Sequence, residues 1–359
     1  MKNILFITSS LGFGGAAKIL IFVAESLAKR GHKVGIVDLH NTTAKQFFHR
    51  SLSSQIEVFH SQSQGHIAII HEIKTVAKTF GADVIVGFTE YPNMYAKIVG
   101  TLLGIPSIMS ERGDPTQTIG KSLKDKMSLF LINQSKGGVF QTEGAKALYG
   151  RGLQKRGRVI PNPIFISGEL PNVAYEAREK SVVSVGRLDN FQKRYDVMLK
   201  AFKLFSEKHP EYVLKLYGSG MDEDKIKGWT VEEGIADKVR FMGLSKTPLQ
   251  DIASDGMFLI TSDFEGISNS LLESMAVGLP CVSTDHTPGG ARLLITDHEN
   301  GLLAPVGDAE ALARAMCEFA EDPALAKCCG EQAKNVLHRF APEKIVDEWE
   351  AYINQIISK

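Results

Sequence analysis

Residues 257–281, MFLITSDFEGISNSLLESMAVGLPC, decide the fold of the chain and carry its first functional signal. The apolar run Met257–Ile260 is short enough for a buried strand, and a polar loop follows it. Apolar residues then recur at helical spacing between Leu271 and Ala276, and Gly278-Leu279-Pro280 ends that helix. The stretch therefore predicts a strand, a loop and a helix in succession.

Two glutamates give this predicted unit a chemical character. Glu265 lies on the loop, and Glu273 lies inside the helix on or near its apolar side, where an unpaired charge would be costly. The helix N-terminus at 267–269 offers backbone N–H donors and a positive dipole end, which suit a phosphate. Donors for a diphosphate and carboxylates for hydroxyl groups are what a sugar nucleotide needs. An ordinary βα unit with two solvated glutamates explains the same residues, so this stretch alone leaves both interpretations open.

A wider motif favours the sugar nucleotide. The pattern E-G-x6-E followed by S-M-A-x-G-L-P resembles the signature of the family-four glycosyltransferases, which have the GT-B fold. The resemblance continues through residues 283–285, 288–292 and 300–303. It covers residues 182–305 well and the N-terminal half more loosely. The fold that it implies is α/β, with two tandem Rossmann-like domains built on doubly wound parallel sheets.

The order of predicted elements agrees with this architecture. Strands alternate with helices in two series, which is typical of parallel doubly wound sheets. We expect an N-terminal, acceptor-side domain at 1–165 and a C-terminal, nucleotide-sugar-binding domain at 166–341. By resemblance, the amphipathic helix in 342–359 returns to pack on the first domain; packing on its own domain is the alternative.

Composition limits the cellular setting. A length of 359 residues favours two domains, and no apolar run reaches the length of a spanning helix. The start of the chain lacks the pattern of a signal peptide, and the four cysteines form no C-x-x-C pair. We therefore expect a cytoplasmic protein with reduced thiols and no zinc site.

The zero formal net charge conceals an asymmetry. Residues 1–165 carry 20 Lys and Arg against 10 Asp and Glu, hence +10, and the remainder carries 21 against 31, hence −10. Basic clusters at 121–126 and 146–158 adjoin the apolar residues Leu123, Met127 and Phe130. This favours an anionic partner of the first half, such as a membrane surface or a lipid diphosphate. We expect no nucleic acid among the partners. The alternative is random drift of surface charge around core residues.

Two cations follow the first strand of the second series. Arg187 and Lys193 lie on the loop between strand and helix, at the edge where such sheets bind ligands. A guanidinium and an ammonium suit a diphosphate leaving group. The motif G-R-L-x4-K is also shared with the resembled family, which implies that both residues bind the diphosphate. A solvated charge pair is the alternative.

The resemblance assigns further residues of the second domain. Glu265 is implied as the contact to the donor sugar and Glu273 as the ligand of the ribose hydroxyls. The resemblance implies that the turn at Gly218 approaches the nucleotide and that the segment ending at Leu244 holds the base. It also implies that the backbone of Gly266, Ile267 and Ser268 lies near the sugar and phosphate, and that Ile267 and Asn269 form walls of the pocket.

The first domain gives weaker signals. A glycine-rich loop follows its first strand without the G-x-G-x-x-G spacing of a dinucleotide site. By resemblance, Gly14 and Gly15 approach the donor diphosphate or the acceptor, and a tight turn is the alternative. Many relatives carry a histidine where this chain has Glu111 and Arg112. Arg112 is predicted to bind the acceptor or donor phosphate and Glu111 the sugar, with an interface salt bridge as the alternative.

These residues predict an enzyme. The resemblance implies a retaining, metal-independent glycosyltransferase without a cofactor, which moves a hexose or N-acetylhexosamine from a UDP-linked donor. The acceptor is a hydroxyl of a glycan or lipid-linked glycan in cell-surface polysaccharide synthesis. We also expect reversible, peripheral association with the inner face of the membrane. The competing hypotheses are a sugar-nucleotide epimerase, a phosphorylase and a non-catalytic nucleotide-sugar binder on the same fold.

Overall fold

The structure, a computed structural model, describes residues 1–12, 15–40, 52–117, 122–166 and 168–358. The chain divides into two compact units. Unit 1 comprises Met1–Pro163 together with Pro342–Lys359, and unit 2 is Ile164–Ala341. Each unit is built on one parallel sheet flanked by helices, which confirms the predicted α/β fold class.

Unit 1 is organised around a parallel sheet whose strands are largely buried. In the described part of the unit this sheet has seven strands: β1 (Asn3–Thr8), β2 (Lys33–Asp38), β3 (Ile56–His60), β4 (Val84–Phe88), β5 (Ser107–Ser110), β6 (Gly137–Phe140) and β7 (Arg158–Val159). Their spatial order is β3-β2-β1-β4-β5-β6-β7. The order changes direction between β1 and β4, which makes this the switch point of the sheet.

Helices connect these strands and cover the sheet. They are α1 (Gly15–Lys29), α2 (His66–Phe80), α3 (Glu90–Leu103), α4 (Leu123–Ile132), α5 (Glu143–Ala147) and α6 (Arg151–Arg156). Helices α2 and α3 bury apolar residues such as Ile73 and Val99 against the strands. Because the strands are covered in this way, they read as nearly continuous apolar runs in the sequence.

Unit 2 repeats the same plan. Its parallel sheet contains β8 (Ser181–Val185), β9 (Val213–Tyr217), β10 (Val239–Gly243), β11 (Met257–Ile260), β12 (Cys281–Thr284) and β13 (Leu302–Ala304). The spatial order is β10-β9-β8-β11-β12-β13. Strand β8 pairs directly with β11, so the switch point lies between these two strands.

The helices of unit 2 are more numerous than the sequence patterns predict. They are α7 (Asn190–Lys193), α8 (Tyr195–Lys208), α9 (Glu223–Glu232), α10 (Pro248–Ile252), α11 (Asn269–Ala276), α12 (Gly290–Leu294), α13 (Ala309–Glu321), α14 (Pro323–Ala333) and α15 (Val336–Arg339). The sequence patterns predict helices at 195–207, 222–233, 269–277 and 309–321, and α8, α9, α11 and α13 confirm these bounds within one residue at each end. Helices α8 and α13 share one core, in which Phe202, Phe205, Met316 and Phe319 are buried. Burial of each such side chain contributes about 1.5–3 kcal/mol.

The last helix, α16 (Pro342–Ile357), is part of unit 1. Its Trp349 is fully buried and stacks on Phe88, with ring centroids 5.8 Å apart. The Tyr352 hydroxyl accepts a hydrogen bond from the Gly138 N–H at 2.8 Å and donates one to the Arg156 carbonyl at 2.6 Å. A buried hydroxyl with both partners satisfied fixes the position of the helix.

Helix α4 departs from the usual division into an apolar inner face and a polar outer face. Leu123, Met127 and Phe130 are 83%, 63% and 66% exposed. The alternative that these residues belong to the core is therefore wrong. Among the described residues, no helix is long and apolar enough to cross a membrane.

Candidate functional site

The candidate residues of unit 2 lie where its strands end beside the switch point. Arg187 and Lys193 follow β8, and Glu265 follows β11, the neighbour of β8 in the sheet. Parallel sheets bind ligands at this edge because the loops diverge there and leave a crevice. The fold thus brings together residues that the sequence places in two separate motifs.

An ion pair between Lys193 and Glu265 lies at the centre of the site. The Lys193 ammonium donates to Glu265 Oε1, and the two side chains are only 13% and 12% exposed. Ser262 Oγ donates to the same oxygen at 3.0 Å. The Thr261 hydroxyl donates to the carbonyl oxygens of Lys193 at 2.8 Å and Arg194 at 3.2 Å. The β11 loop therefore holds the end of α7 and orients both charges.

This pair leaves binding capacity for a ligand. An ammonium has three N–H donors and Glu265 uses one of them, so the others can reach phosphate oxygens. The carboxylate likewise has lone pairs left for hydroxyl groups.

Arg187 extends the positive charge of the site towards solvent. Its side chain is 70% exposed, and Nη2 donates to Gln192 Oε1 at 3.0 Å. Gln192 in turn donates from Nε2 to the Phe264 carbonyl at 3.0 Å. Arg187 is therefore tethered to the residue preceding Glu265, while most of its guanidinium fork remains available to an anion.

Two glycines let the loops of the site approach one another. Gly218 has φ +141°, and a Cβ there would lie 1.8 Å from the Gly186 carbonyl oxygen. A Cβ on Gly290 would lie 1.7 Å from the Gly266 carbonyl oxygen. Any larger residue at either position would push apart the loops that carry the charged groups.

Helix α11 begins beside Glu265. Ser268 is its N-cap, and the Ser268 Oγ accepts from the Leu271 N–H at 3.3 Å. The helix start thus presents its positive dipole end at the site. Asn269 and Glu273 are half-buried on this helix, whereas Ile267 packs into the apolar core.

The predicted nucleotide and base segments are adjacent. The Gly218 N–H donates to the Gly243 carbonyl at 2.8 Å, which joins the loop after β9 to the last residue of β10. Leu244, the next residue, is 79% exposed. An exposed apolar side chain at this edge suits the face of a base.

His286 is a site residue that the sequence analysis missed. It is 1% exposed, and its Nε2 lacks a hydrogen-bond partner in the described part of the chain. Burial lowers the pKa of His286. Glu265 acts to raise this pKa, whereas Lys193 acts to lower it further. A neutral imidazole therefore lies beside the ion pair. No sequence motif marks His286, because it is a single histidine that follows a strand.

The two charged candidates of unit 1 are engaged in internal contacts. Glu111 Oε1 accepts from the N–H groups of Arg112 at 2.9 Å and Gly113 at 3.0 Å. Its Oε2 accepts from the Tyr149 hydroxyl at 2.6 Å. Burial and the nearby Glu111 raise the pKa of Tyr149 well above its usual value, so the hydroxyl stays a donor.

Arg112 is buried, at 8% exposure. Its Nε donates to Ser110 Oγ at 2.8 Å, and its guanidinium lies 5.1 Å from the Trp349 ring and 5.4 Å from the Phe88 ring. Burial lowers the pKa of Arg112 to about 9, while Glu111 acts to raise it. Of the two predicted loop glycines, Gly15 is exposed and begins α1, whereas Gly14 lies outside the described residues.

Comparison with known proteins shows which families and structures this chain resembles. Residues 171–336 match the family model described as "Glycosyl transferases group 1". An uncharacterized glycosyltransferase of Haemophilus influenzae is 24% identical over 362 residues, which span 98% of this chain and 100% of that protein. Anabaena HepE in complex with UDP-glucose has a similar structure, with a TM-score of 0.79, 19% identity and coverage of 99% of this chain and 100% of that one.

A further relative is named for its acceptor. The Campylobacter jejuni protein called "N-acetylgalactosamine-N,N'-diacetylbacillosaminyl-diphospho-undecaprenol 4-alpha-N-acetylgalactosaminyltransferase" is 25% identical over 372 residues, 96% of this chain and 97% of that protein. The structural likeness to HepE and the two parallel sheets therefore give this chain the GT-B fold. The match to the group 1 glycosyl transferases covers residues 171–336 and confirms the resemblance that the sequence shows over residues 182–305.

Proposed function

We propose that this chain is a retaining, metal-independent transferase that moves a hexose or N-acetylhexosamine from a UDP-linked donor. The acceptor is a hydroxyl of a glycan or lipid-linked glycan in cell-surface polysaccharide synthesis. The ion pair between Lys193 and Glu265 carries this proposal. It places a cation suited to a diphosphate in contact with a carboxylate suited to sugar hydroxyls, next to the start of α11.

The leaving group is held by positive charge from the protein. Arg187, Lys193 and the N-terminus of α11 converge on the crevice beside the switch point. As the glycosidic bond to the diphosphate breaks, negative charge develops on the departing oxygen. Preorganised cations and backbone donors stabilise that charge, which is the task that a metal ion performs elsewhere. This supports transfer without a metal.

The stereochemical course follows from the same leaving group. The acceptor hydroxyl attacks the anomeric carbon from the face that the diphosphate leaves, so the configuration is retained. The departing diphosphate oxygen takes the proton of that hydroxyl, and the new glycosidic bond forms as the old one breaks. The protein contributes by positioning both reactants and stabilising charge.

The remaining contacts hold the nucleotide. We assign the ribose hydroxyls to Glu273, the backbone approach to Gly218 and the base to the segment ending at Leu244. A UDP-linked donor is supported by the fold shared with HepE, whose structure contains UDP-glucose. The acceptor class is supported by the printed name of the Campylobacter relative.

A panel of nucleotide sugars tests the proposal. Thermal shift and donor hydrolysis are measured with UDP-, GDP-, ADP- and TDP-linked sugars, and the anomer formed with the preferred donor is read by NMR. We expect a UDP-sugar to stabilise the protein most and transfer to persist in excess EDTA. Inverted product, or complete loss of transfer in EDTA restored by Mg²⁺, would contradict the proposal.

We also assign a membrane-facing surface to α4, on the cytoplasmic side. Leu123, Met127 and Phe130 recur at helical spacing and are exposed, and Lys124 and Lys126 flank them. An exposed apolar stripe edged with lysines suits an anionic leaflet, where each cation contributes about 1 kcal/mol. A lipid-linked acceptor would be met at that surface.

Sedimentation with liposomes tests this surface. We expect binding to rise with anionic lipid, to fall with salt and to be lost in Phe130→Ser with Met127→Ser. The matched control is Ile67→Ser, which removes an 87% exposed apolar side chain from α2. Equal recovery of wild type in the supernatant with neutral and anionic vesicles at low salt would exclude the membrane role and leave the transferase assignment intact.

A further inference from the structure

Three potential metal ligands meet in unit 2, well separated along the sequence. His209 follows the last residue of α8, and Cys317 and Glu321 lie one turn apart near the end of α13. Their ligand atoms all lie within 4.8 Å of one another. We call this group the His209 cluster. No sequence motif marks it, because one member follows α8 and the other two lie on α13.

We propose that the His209 cluster binds one divalent metal ion of the zinc type. Zinc bonds to histidine nitrogen and carboxylate oxygen are about 2.0–2.2 Å long, so tetrahedral geometry requires the two ligand atoms to lie about 3.3–3.5 Å apart. The observed distance between His209 Nε2 and Glu321 Oε1 is 3.4 Å. The thiolate of Cys317 supplies a third ligand, and water completes the shell.

The surroundings of His209 fix its ring and leave one nitrogen available. The ring stacks on Phe205 with centroids 5.0 Å apart and meets Tyr212 edge-on. Nε2 is buried without a hydrogen bond in the described part of the chain. On the other side, Glu211 Oε1 lies 3.9 Å from Nδ1. A carboxylate behind a metal-bound histidine commonly fixes its tautomer and raises its basicity.

The electrostatics of the fold also favour a cation here. Helices α8 and α13 pack against each other, and both end at the cluster. A helix C-terminus carries partial negative charge, so two of them attract a positive ion. A bound metal would take Cys317 as the thiolate, with its proton released to solvent.

The cluster is remote from the transfer site. Helix α8 has 14 residues and runs from the Lys193 end of the unit to His209, a distance of about 21 Å. A metal at this position would join the ends of two core helices and would not touch the donor. Loss of the metal should therefore lower thermal stability while transfer below the unfolding temperature persists.

Cobalt binding tests the inference directly. Tag-free, metal-free protein is titrated with Co²⁺ and then Zn²⁺, following the thiolate-to-cobalt charge-transfer absorption, and bound metal is counted by mass spectrometry. We expect one Co²⁺ per chain with a thiolate band, displacement by Zn²⁺, and a rise in the unfolding temperature with either ion. Absence of a thiolate band in the wild-type protein would overturn the inference.

Variants localise the site. Cys317→Ser should abolish the thiolate band, whereas Cys328→Ser, which changes an exposed cysteine on α14, should retain it. Glu321→Gln should weaken Co²⁺ binding at least tenfold without disturbing folding, because the Glu321 side chain is 62% exposed. A band that survives both Cys317→Ser and Glu321→Gln would place the metal elsewhere and refute the assignment. If Cys317→Ser does not fold, the result with Glu321→Gln decides.

Discussion

Two charged pairs follow buried strands in this molecule, and they are used differently. After β5 in unit 1, Glu111 accepts three hydrogen bonds from its own unit, and Arg112 is buried against Phe88 and Trp349. In unit 2, Lys193 and Glu265 bind mainly each other across the switch point, and Arg187 beside them is 70% exposed. The Glu111 and Arg112 pair shapes a loop, whereas the Lys193 and Glu265 pair leaves hydrogen-bond donors and acceptors for a ligand.

The comparison shows that position after a strand is not enough to identify a ligand-binding charge. What distinguishes the two pairs is the hydrogen-bonding capacity that a ligand can reach. Arg112 Nη2 lacks a hydrogen bond within the described residues but is buried, whereas the Arg187 side chain is exposed. A guanidinium buried against two aromatic rings has little surface left for a phosphate, whereas the exposed Arg187 fork and the Lys193 ammonium, which has donors left, have much. We therefore expect substitutions in unit 1 to affect stability first and substitutions in unit 2 to affect binding first.

The largest expected effect is on stability. Arg112→Ala removes a buried side chain that packs against Phe88 and Trp349 and leaves a cavity, so the free energy of unfolding should fall by about 2–5 kcal/mol. Arg112→Met refills most of the volume without a charge and should cost less than about 1.5 kcal/mol. Urea unfolding measures both. An unchanged midpoint for Arg112→Ala, with weaker donor or acceptor binding, would instead make Arg112 a ligand, as the sequence analysis predicts.

Arg187→Ala should show the opposite behaviour. Losing a charge-assisted contact worth about 1.5–3 kcal/mol should weaken UDP binding roughly 10- to 150-fold. The free energy of unfolding should change by less than about 0.5 kcal/mol because the side chain is largely exposed. Calorimetric titration with UDP alongside urea unfolding separates the two quantities. UDP affinity equal to wild type would remove Arg187 from the site.

The two glutamates of unit 2 should differ from each other in kinetics. Glu273→Ala should mainly raise KM for the donor, since a ribose contact exists in the ground state and the transition state alike. Glu265→Ala should mainly lower kcat, because its contact to the sugar strengthens as charge develops. Steady-state kinetics with saturating acceptor would reveal the split, and identical profiles for both variants would contradict it.

A smaller effect is expected from His286. Burial lowers the pKa of His286 below its usual value of 6.5, so the unfolded chain takes up the proton at a higher pH than the folded chain. The free energy of unfolding should therefore fall as pH drops below about 6.5, and above that pH the group should contribute no pH dependence. His286→Gln should show a weaker dependence between pH 7.5 and 5.5. Parallel curves for the two proteins would mean that His286 does not titrate in this range.

The sequence predicted the elements better than the side-chain partners. The strand, loop and helix at 257–276 were confirmed because local patterns carry them: an apolar run, a polar break and helical spacing. The hydrogen bonds of Glu111 were not predictable, since Tyr149 reaches it through the tertiary fold. His286 gave no motif, and the short helices α12 and α15 lack a periodic pattern long enough to recognise.

The central claim is that Lys193 and Glu265 form the donor-binding centre, and titration with the preferred UDP-sugar tests it most directly. Lys193→Ala is compared with Lys200→Ala, which removes an exposed lysine from α8 in the same unit. The account predicts at least tenfold weaker binding of the UDP-sugar to Lys193→Ala and wild-type affinity for Lys200→Ala. Equal affinity of wild type and Lys193→Ala would contradict it.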